Sequence, residues 1–150
     1  MTSPFHMQTL GWREWLALPE LGIDIIKAKV DTGARTSALH AFFIDPYRKA
    51  GRDRLRFGVH THQKDRETAV ICTADLLDQR EVSDSGGHRE QRFVIETELQ
   101  IGGLHKRIEL TLTNRDNMLF RMLLGRTALQ GDFLVDVSLS YQAGKPVNPE

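Results

Sequence analysis

Apolar and polar residues alternate in short runs along most of this chain, with a period close to two, the repeat of a β-strand. Ile23–Val30 is an apolar run interrupted by Lys27 and Lys29, Leu55, Phe57 and Val59 alternate with Arg56 and Gly58, and residues 67–73 are again strand-like. Residues 93–101 and 104–113 flank Gly102-Gly103, the strongest hairpin signal in the chain. Segments 118–124 and 133–137 complete the expected strands. Only residues 127–130 read as helical, with a turn expected near 75–78. Evenly spaced strands without a βαβ rhythm predict an all-β domain, a barrel or a sandwich. No internal repeat or low-complexity tract interrupts it. Residues 1–10 are expected to be an N-terminal extension, 11–140 the domain, and 141–150, with Gly144, Pro146 and Pro149, a loose tail.

Composition narrows the field. At 150 residues the chain is one domain, long enough to bury a real core. Its charged residues, 27% of the total, cancel to a formal net charge of +0, so no basic footprint argues for a nucleic-acid partner. The single cysteine, Cys72, excludes an internal disulfide framework and a cysteine-rich zinc module, and suits a reducing cytosol. Its place in the run Ala69-Val70-Ile71-Cys72 reads as a buried structural thiol rather than a nucleophile. The first ten residues lack the basic start and apolar stretch of a signal peptide. No segment reaches the ~20 apolar residues of a membrane span. A cytoplasmic protein with no membrane or nucleic-acid partner is expected.

Candidate chemistry begins at Lys29-Val30-Asp31-Thr32-Gly33-Ala34. A carboxylate used as a general base must point into a cavity from a rigid support, and a strand running into a glycine-containing turn provides that. Gly33 allows a close backbone approach, and the Thr32 hydroxyl can lock the turn. The plainer reading is that Asp31 starts a β-turn, where Asp is favoured for bonding its own downstream amides. Near the other end stands Met122-Leu123-Leu124-Gly125-Arg126, an apolar run into Gly-Arg ahead of the short helical stretch.

Four stretches together carry a resemblance: residues 27–41, the Ser85-Gly86-Gly87 turn, Leu112-Thr113-Asn114-Arg115-Asp116, and Met122-Leu123-Leu124-Gly125-Arg126. On these, residues 11–137 resemble the family described as ATP-dependent zinc proteases, associated with RimK-type ATP-grasp ligases, whose members look like single-domain retropepsins. The resemblance implies a closed retropepsin-like (acid protease) β-barrel with one short helix. It implies Asp31 as the catalytic aspartate, with Thr32, Gly33 and Ala34 as the loop that holds it. The chain has one Asp-Thr-Gly, so a catalytic pair requires a homodimer with Asp31 from each subunit. Residues 82–89 occupy the place of a flap over the site, with Ser85, Gly86 and Gly87 at its turn, though an ordinary polar hairpin explains them as well.

The residues depart from that family in two ways. Retroviral relatives of the pattern carry a second acid after Asp-Thr-Gly-Ala, where this chain has Arg35. Arg35 and Arg126 could then face an anion together, which favours acidic or glutamate-rich peptides as substrate; the other reading is that Asp116 or another internal acid satisfies them. The zinc and ATP of the family description find no support. No His-Glu-x-x-His set and no phosphate loop occurs. His60 and His62 share a strand face, but sit beside Thr61, Gln63 and Lys64; His40, His88 and His105 are isolated. Neither metal nor cofactor is expected, and any ATP link belongs to a partner RimK-type ligase. The expected function is an aspartic endopeptidase acting on a peptide or protein substrate. A non-catalytic peptide-binding module and a metal-dependent peptidase or amidase are the alternatives.

Overall fold

Twelve strands and one four-residue α-helix run through the residues that the computed structural model describes, 7–62, 68–83, 86–114 and 120–146. In chain order the strands are β1 (Gln8–Leu10), β2 (Arg13–Leu18), β3 (Ile23–Val30), β4 (Ser37–His40), β5 (Phe43–Lys49) and β6 (Arg52–Val59). They continue as β7 (Val70–Asp75), β8 (Asp78–Ser83), β9 (Arg89–Ile101), β10 (Leu104–Thr113), β11 (Met122–Leu124) and β12 (Phe133–Val135). The helix α1 is Arg126–Leu129, one residue earlier than the pattern predicts, and Pro19–Leu21 adds a single 3₁₀ turn between β2 and β3.

The expected all-β class holds. Strand pairing runs β10-β4-β11-β3-β2-β9 and returns from β9 to β10, with β8 added on the outer edge of β9. The return is thin at one place: β2 meets β9 through a single residue pair, Ala17 with Gln100. The sheet is therefore a ring with a weak seam rather than the uninterrupted barrel the resemblance implies. Gly102 and Gly103 close the β9–β10 hairpin with φ of 57° and 82°, the paired positive values of a two-residue loop that matches strand twist.

Period-two alternation decides which side chains fill the ring. Leu16 of β2, Ile26 and Ala28 of β3, Leu39 of β4, Ile95 and Leu99 of β9, Leu110 of β10, and Met122 and Leu124 of β11 are buried together. The separate three-stranded sheet β5-β6-β7 contributes Leu55, Phe57 and Cys72 to the same core. Burial pushes the Cys72 thiol up to about 12, so it stays protonated and acts as a packing group.

Several strands carried too little apolar signal to be expected. β5 contains Pro46 and three charged residues, β8 is exposed along most of its length, and both are sheet edges. Edge strands tolerate proline and charge because one row of their backbone groups faces water. β4 has the opposite character: all four residues are buried between β10 and β11, so no alternation marks it.

Both termini are more engaged than the sequence suggests. Leu10, placed in the expected extension, is fully buried, and β1 pairs in parallel with β12. In the expected tail, Tyr141 stacks on Trp15 with ring centroids 5.5 Å apart. The fully buried Glu14 carboxylate joins the two ends. It accepts N–H bonds from Gly11 at 2.7 Å, Gln142 at 2.9 Å and Ala143 at 3.0 Å.

Glu14→Leu would leave three amides without their acceptor, at about 1–3 kcal/mol for each buried unsatisfied group. A loss of at least about 3 kcal/mol is expected by urea denaturation, with Glu14→Gln, which keeps one acceptor oxygen, falling between. Wild-type stability in the leucine variant would contradict the role of this carboxylate.

Candidate functional site

β3 delivers Asp31 to the surface from the middle of the ring. The Val30 N–H donates to the Trp12 carbonyl at 2.8 Å, and the Asp31 N–H donates to the Leu124 carbonyl at 2.9 Å, so the strand stays paired until the chain turns. The turn closes on the aspartate itself. The Ala34 N–H donates to the Asp31 carbonyl at 3.2 Å, and the Gly33 N–H donates to Asp31 Oδ1 at 3.0 Å. Asp31 is half-buried, while Thr32 and Gly33 are exposed. One carboxylate oxygen thus holds the turn, as a turn-starting Asp does, while the side chain stays partly open to solvent.

The Leu-Leu-Gly-Arg segment packs against this turn from behind. β11 lies parallel to β3, with Leu124 opposite Val30, and antiparallel to β4, with Met122 opposite Leu39. Gly125 then passes so close to the chain after the aspartate that a Cβ there would stand 2.7 Å from the Thr36 carbonyl carbon and 3.0 Å from the Ala34 oxygen. Its φ of −91° is ordinary, so the requirement is for space alone. Three bonds fix the crossing: Gly125 N–H to Ser37 Oγ at 3.0 Å, Arg126 N–H to Ala34 O at 2.8 Å, and Thr127 N–H to Arg35 O at 3.0 Å.

Arg126 has a use that sequence reasoning did not foresee. Its Nη1 donates to the Thr32 carbonyl at 3.0 Å and to the Gly33 carbonyl at 3.3 Å. Through Nη1, Arg126 thus restrains the backbone of the aspartate turn. Arg35 is exposed beside the turn. It is a minor influence holding the Glu109 carboxyl below its usual range, after the Arg80 guanidinium that bonds Glu109 at 2.6 and 3.2 Å. Asp116, the alternative partner, lies outside the described residues.

Between the two motifs, β8 and β9 form the expected hairpin, with Ser83 opposite Arg89 and Val82 opposite Glu90. Gly86 and Gly87 are exposed at its turn, and Gly87 takes φ of 81°. Ser85 lies outside the described residues. Of the histidines, His60 stacks on Phe42 at 4.2 Å with Nδ1 3.2 Å from the Thr68 carbonyl, and His105 lies 3.3 Å from Glu98. His40 is buried in β4. Among the described residues, no three His, Cys, Asp or Glu side chains stand together as a metal-holding group.

Ser37 and Glu14 were missed as candidates. Ser37 stands inside the stretch that carried the resemblance, and its role could have been found by asking what satisfies a glycine amide buried behind the turn. Glu14 offered one signal, an acid in the run from Trp12 to Leu18, where Arg13 is the one other charged residue.

The chain is similar to proteins of a described family and to a solved structure. A family model described as RimB-like, the retropepsin-like aspartic endopeptidase RimB, matches residues 9–146. A protein named probable alpha-L-glutamate ligase from Shewanella pealeana is 44% identical over 136 residues, which is 91% of this chain and 30% of that protein. Proteins of the same name from Desulfotalea psychrophila and Parasynechococcus marenigrum are 42% and 47% identical over 97% and 90% of this chain, and 31% and 29% of their own. The chain therefore spans about three-tenths of the curated relatives it matches. A crystal structure of a Legionella pneumophila protein of unknown function (DUF785) superposes with a TM-score of 0.75 at 26% identity, covering 91% of this chain and 98% of that one. No helix of the described residues is long and apolar enough to cross a membrane.

Gly125→Ala should be costly in spite of adding one methyl group, because the clash is with backbone that cannot rotate away. A loss of about 1–3 kcal/mol is expected, read as a lower melting temperature. An unchanged melting temperature would show that the two segments do not cross this closely.

Proposed function

This chain belongs to the retropepsin-like aspartic endopeptidase RimB family, and on that premise we propose that it hydrolyses peptide bonds with water activated by Asp31. The observation that carries the reading is the support of Asp31: a half-buried carboxylate at the end of a paired strand, its turn bonded from behind by Arg126 and packed against Gly125. Such a support gives a general base the fixed direction that catalysis requires. Thr32, Gly33 and Ala34 form the floor of the site.

One carboxylate cannot serve as both base and acid in the same step. The chain has a single Asp-Thr-Gly, so the proposed enzyme is a homodimer with Asp31 of each subunit meeting at the two-fold axis. Two carboxylates in contact share one proton. The ionised one takes a proton from water as the water oxygen bonds to the scissile carbonyl carbon; the protonated one gives its proton to the carbonyl oxygen. Collapse of the tetrahedral intermediate breaks the C–N bond, the amide nitrogen takes up a proton, and a carboxylic acid and an amine leave. The β8–β9 hairpin, with Gly86 and Gly87 at its turn, covers the bound peptide as a flap.

Acidic or glutamate-rich peptides are the proposed substrates, in the cytoplasm, in partnership with a RimK-type ligase. Support comes from the relatives' name, probable alpha-L-glutamate ligase, and from the fact that this domain matches only a part of them. Arg35, exposed beside the turn, is free to contribute to substrate binding, whereas Arg126 acts on it through the turn. A non-catalytic peptide-binding module is the second reading, favoured by the single Asp31 if the chain stays monomeric.

Light scattering should give a mass about twice the 17.1 kDa of the chain. Asp31→Asn, which keeps the turn's shape but cannot act as a base, should lower turnover of a peptide substrate by on the order of 10²–10⁴ without changing the melting temperature. Normal turnover by the folded variant would contradict the peptidase reading, and a strictly monomeric mass would favour the binding module.

A further inference from the structure

Asp31, Lys29 and Lys27 are two residues apart along one chain path, and the strand repeat puts the two lysines on the outward face that leads to the aspartate. The neighbouring strand continues the theme. Arg13 stands opposite Lys29, and Trp15 stands opposite Lys27. The C-terminal segment then lays Tyr141 on Trp15 and brings Lys145 Nζ to 5.2 Å from the Trp15 ring. Tyr141 reaches this place with φ of 55°, a left-handed value uncommon for a non-glycine residue. Arg13 Nε donates to Ser140 Oγ at 3.3 Å, and its guanidinium lies 4.9 Å from the Tyr141 ring. Lys27 Nζ lies 5.1 Å from the Trp15 ring.

The charge on this face is unbalanced. Among the described residues, none of Arg13, Lys27, Lys29 and Lys145 lies within ion-pair distance of a carboxylate, although elsewhere Arg54 pairs with Asp75, Arg80 with Glu109, Lys106 with Asp132 and Arg107 with Glu20. In a chain of formal net charge +0, three unpaired cations on one strand pair, joined by Lys145 of the C-terminal segment, amount to a local field of one sign. Three of them lie over aromatic rings, which hold them in place without neutralising them.

We propose that the outward face of β2 and β3, formed by Arg13, Lys27, Lys29 and Lys145 around Trp15 and Tyr141, is the track that captures an acidic peptide and sets the preference for it. The inference deepens the peptidase reading, on which it rests for its direction toward Asp31. Cations at alternate positions of an extended strand repeat every ~6.6 Å, and an extended acidic peptide presents alternate carboxylates at the same spacing. An acidic peptide fits better than single-stranded nucleic acid. Base stacking needs free ring faces, and here Trp15 and Tyr141 already cover each other and carry cations.

Binding of fluorescein-labelled hexaglutamate and hexaglutamine, measured by anisotropy to the Asp31→Asn protein, tests the proposal without interference from cleavage. Hexaglutamate should bind more tightly, and the preference should fall as salt is raised. Adding Lys27→Gln and Lys29→Gln should reduce hexaglutamate affinity by about tenfold, in keeping with two solvent-exposed ion pairs, whereas Lys27→Arg with Lys29→Arg should retain it. Lys145→Gln should give a smaller loss in the same direction.

Equal affinity for the two peptides, or an unchanged preference in a glutamine variant of wild-type melting temperature, would overturn the track. Tighter binding of an oligothymidylate of the same length would overturn it in favour of nucleic acid. Lysine-dependent hexaglutamate binding by a protein that never cleaves would support the track and sink the peptidase reading alone. Asp31-dependent cleavage with no preference between the two peptides would do the reverse.

Discussion

The passage of Gly125 behind the Asp31 turn is the constraint on which the arrangement rests. A side chain at this position would overlap the Thr36 carbonyl, so the two segments approach at a distance only glycine allows. That approach lets β11 lie between β3 and β4 and make both ladders of the ring. It also brings the Gly125 amide within 3.0 Å of Ser37 Oγ, and the Arg126 amide within 2.8 Å of the Ala34 carbonyl. Buried backbone groups on both sides are satisfied by one another, which is what makes so tight a crossing tolerable.

From this crossing the site acquires its rigidity. Arg126 begins the short helix after Gly125 and reaches back to the carbonyls of Thr32 and Gly33. A charged donor on two carbonyls is stronger than a neutral one and restrains the turn that carries Asp31. The same carboxylate clamp that holds the termini acts at one remove. Glu14 fixes Gly11 and the Gln142–Ala143 backbone, and so places β2 against β3 and the C-terminal segment over its outer face. Inward residues of β2 and β3 build the core, and outward residues of the same strands carry three of the four unpaired cations. One alternation therefore serves packing and recognition together.

Much of this was legible in the sequence, and the parts that were not have identifiable causes. Strands with one buried face, such as β3 and β10, announce themselves by alternation, and Gly102-Gly103 marks its hairpin because few other pairs take two positive φ angles. β4 was hidden by burial on both faces, and β5 and β8 by the polar character of edges. Asp31 and Gly125 stood out as motifs. The carbonyl partners of Arg126 did not, because backbone carbonyls have no letter in a sequence. Leu10 was assigned to an N-terminal extension and Tyr141 to a loose tail because polar and glycine-proline surroundings masked single buried or stacked side chains. The cationic face was visible only in part, since Lys145 joins it across the fold from more than a hundred residues away.

The central claim is that two copies of Asp31 form one site, and mixed dimers test it most directly. Wild-type and Asp31→Asn proteins unfolded, mixed in equal amounts and refolded together would pair at random. If every active site needs both carboxylates, only wild-type pairs work, and activity at fixed total protein should fall to about one quarter of the all-wild-type value, following the square of the wild-type fraction. A fall to about one half, in proportion to the wild-type fraction, would mean that each chain acts alone and would contradict the account.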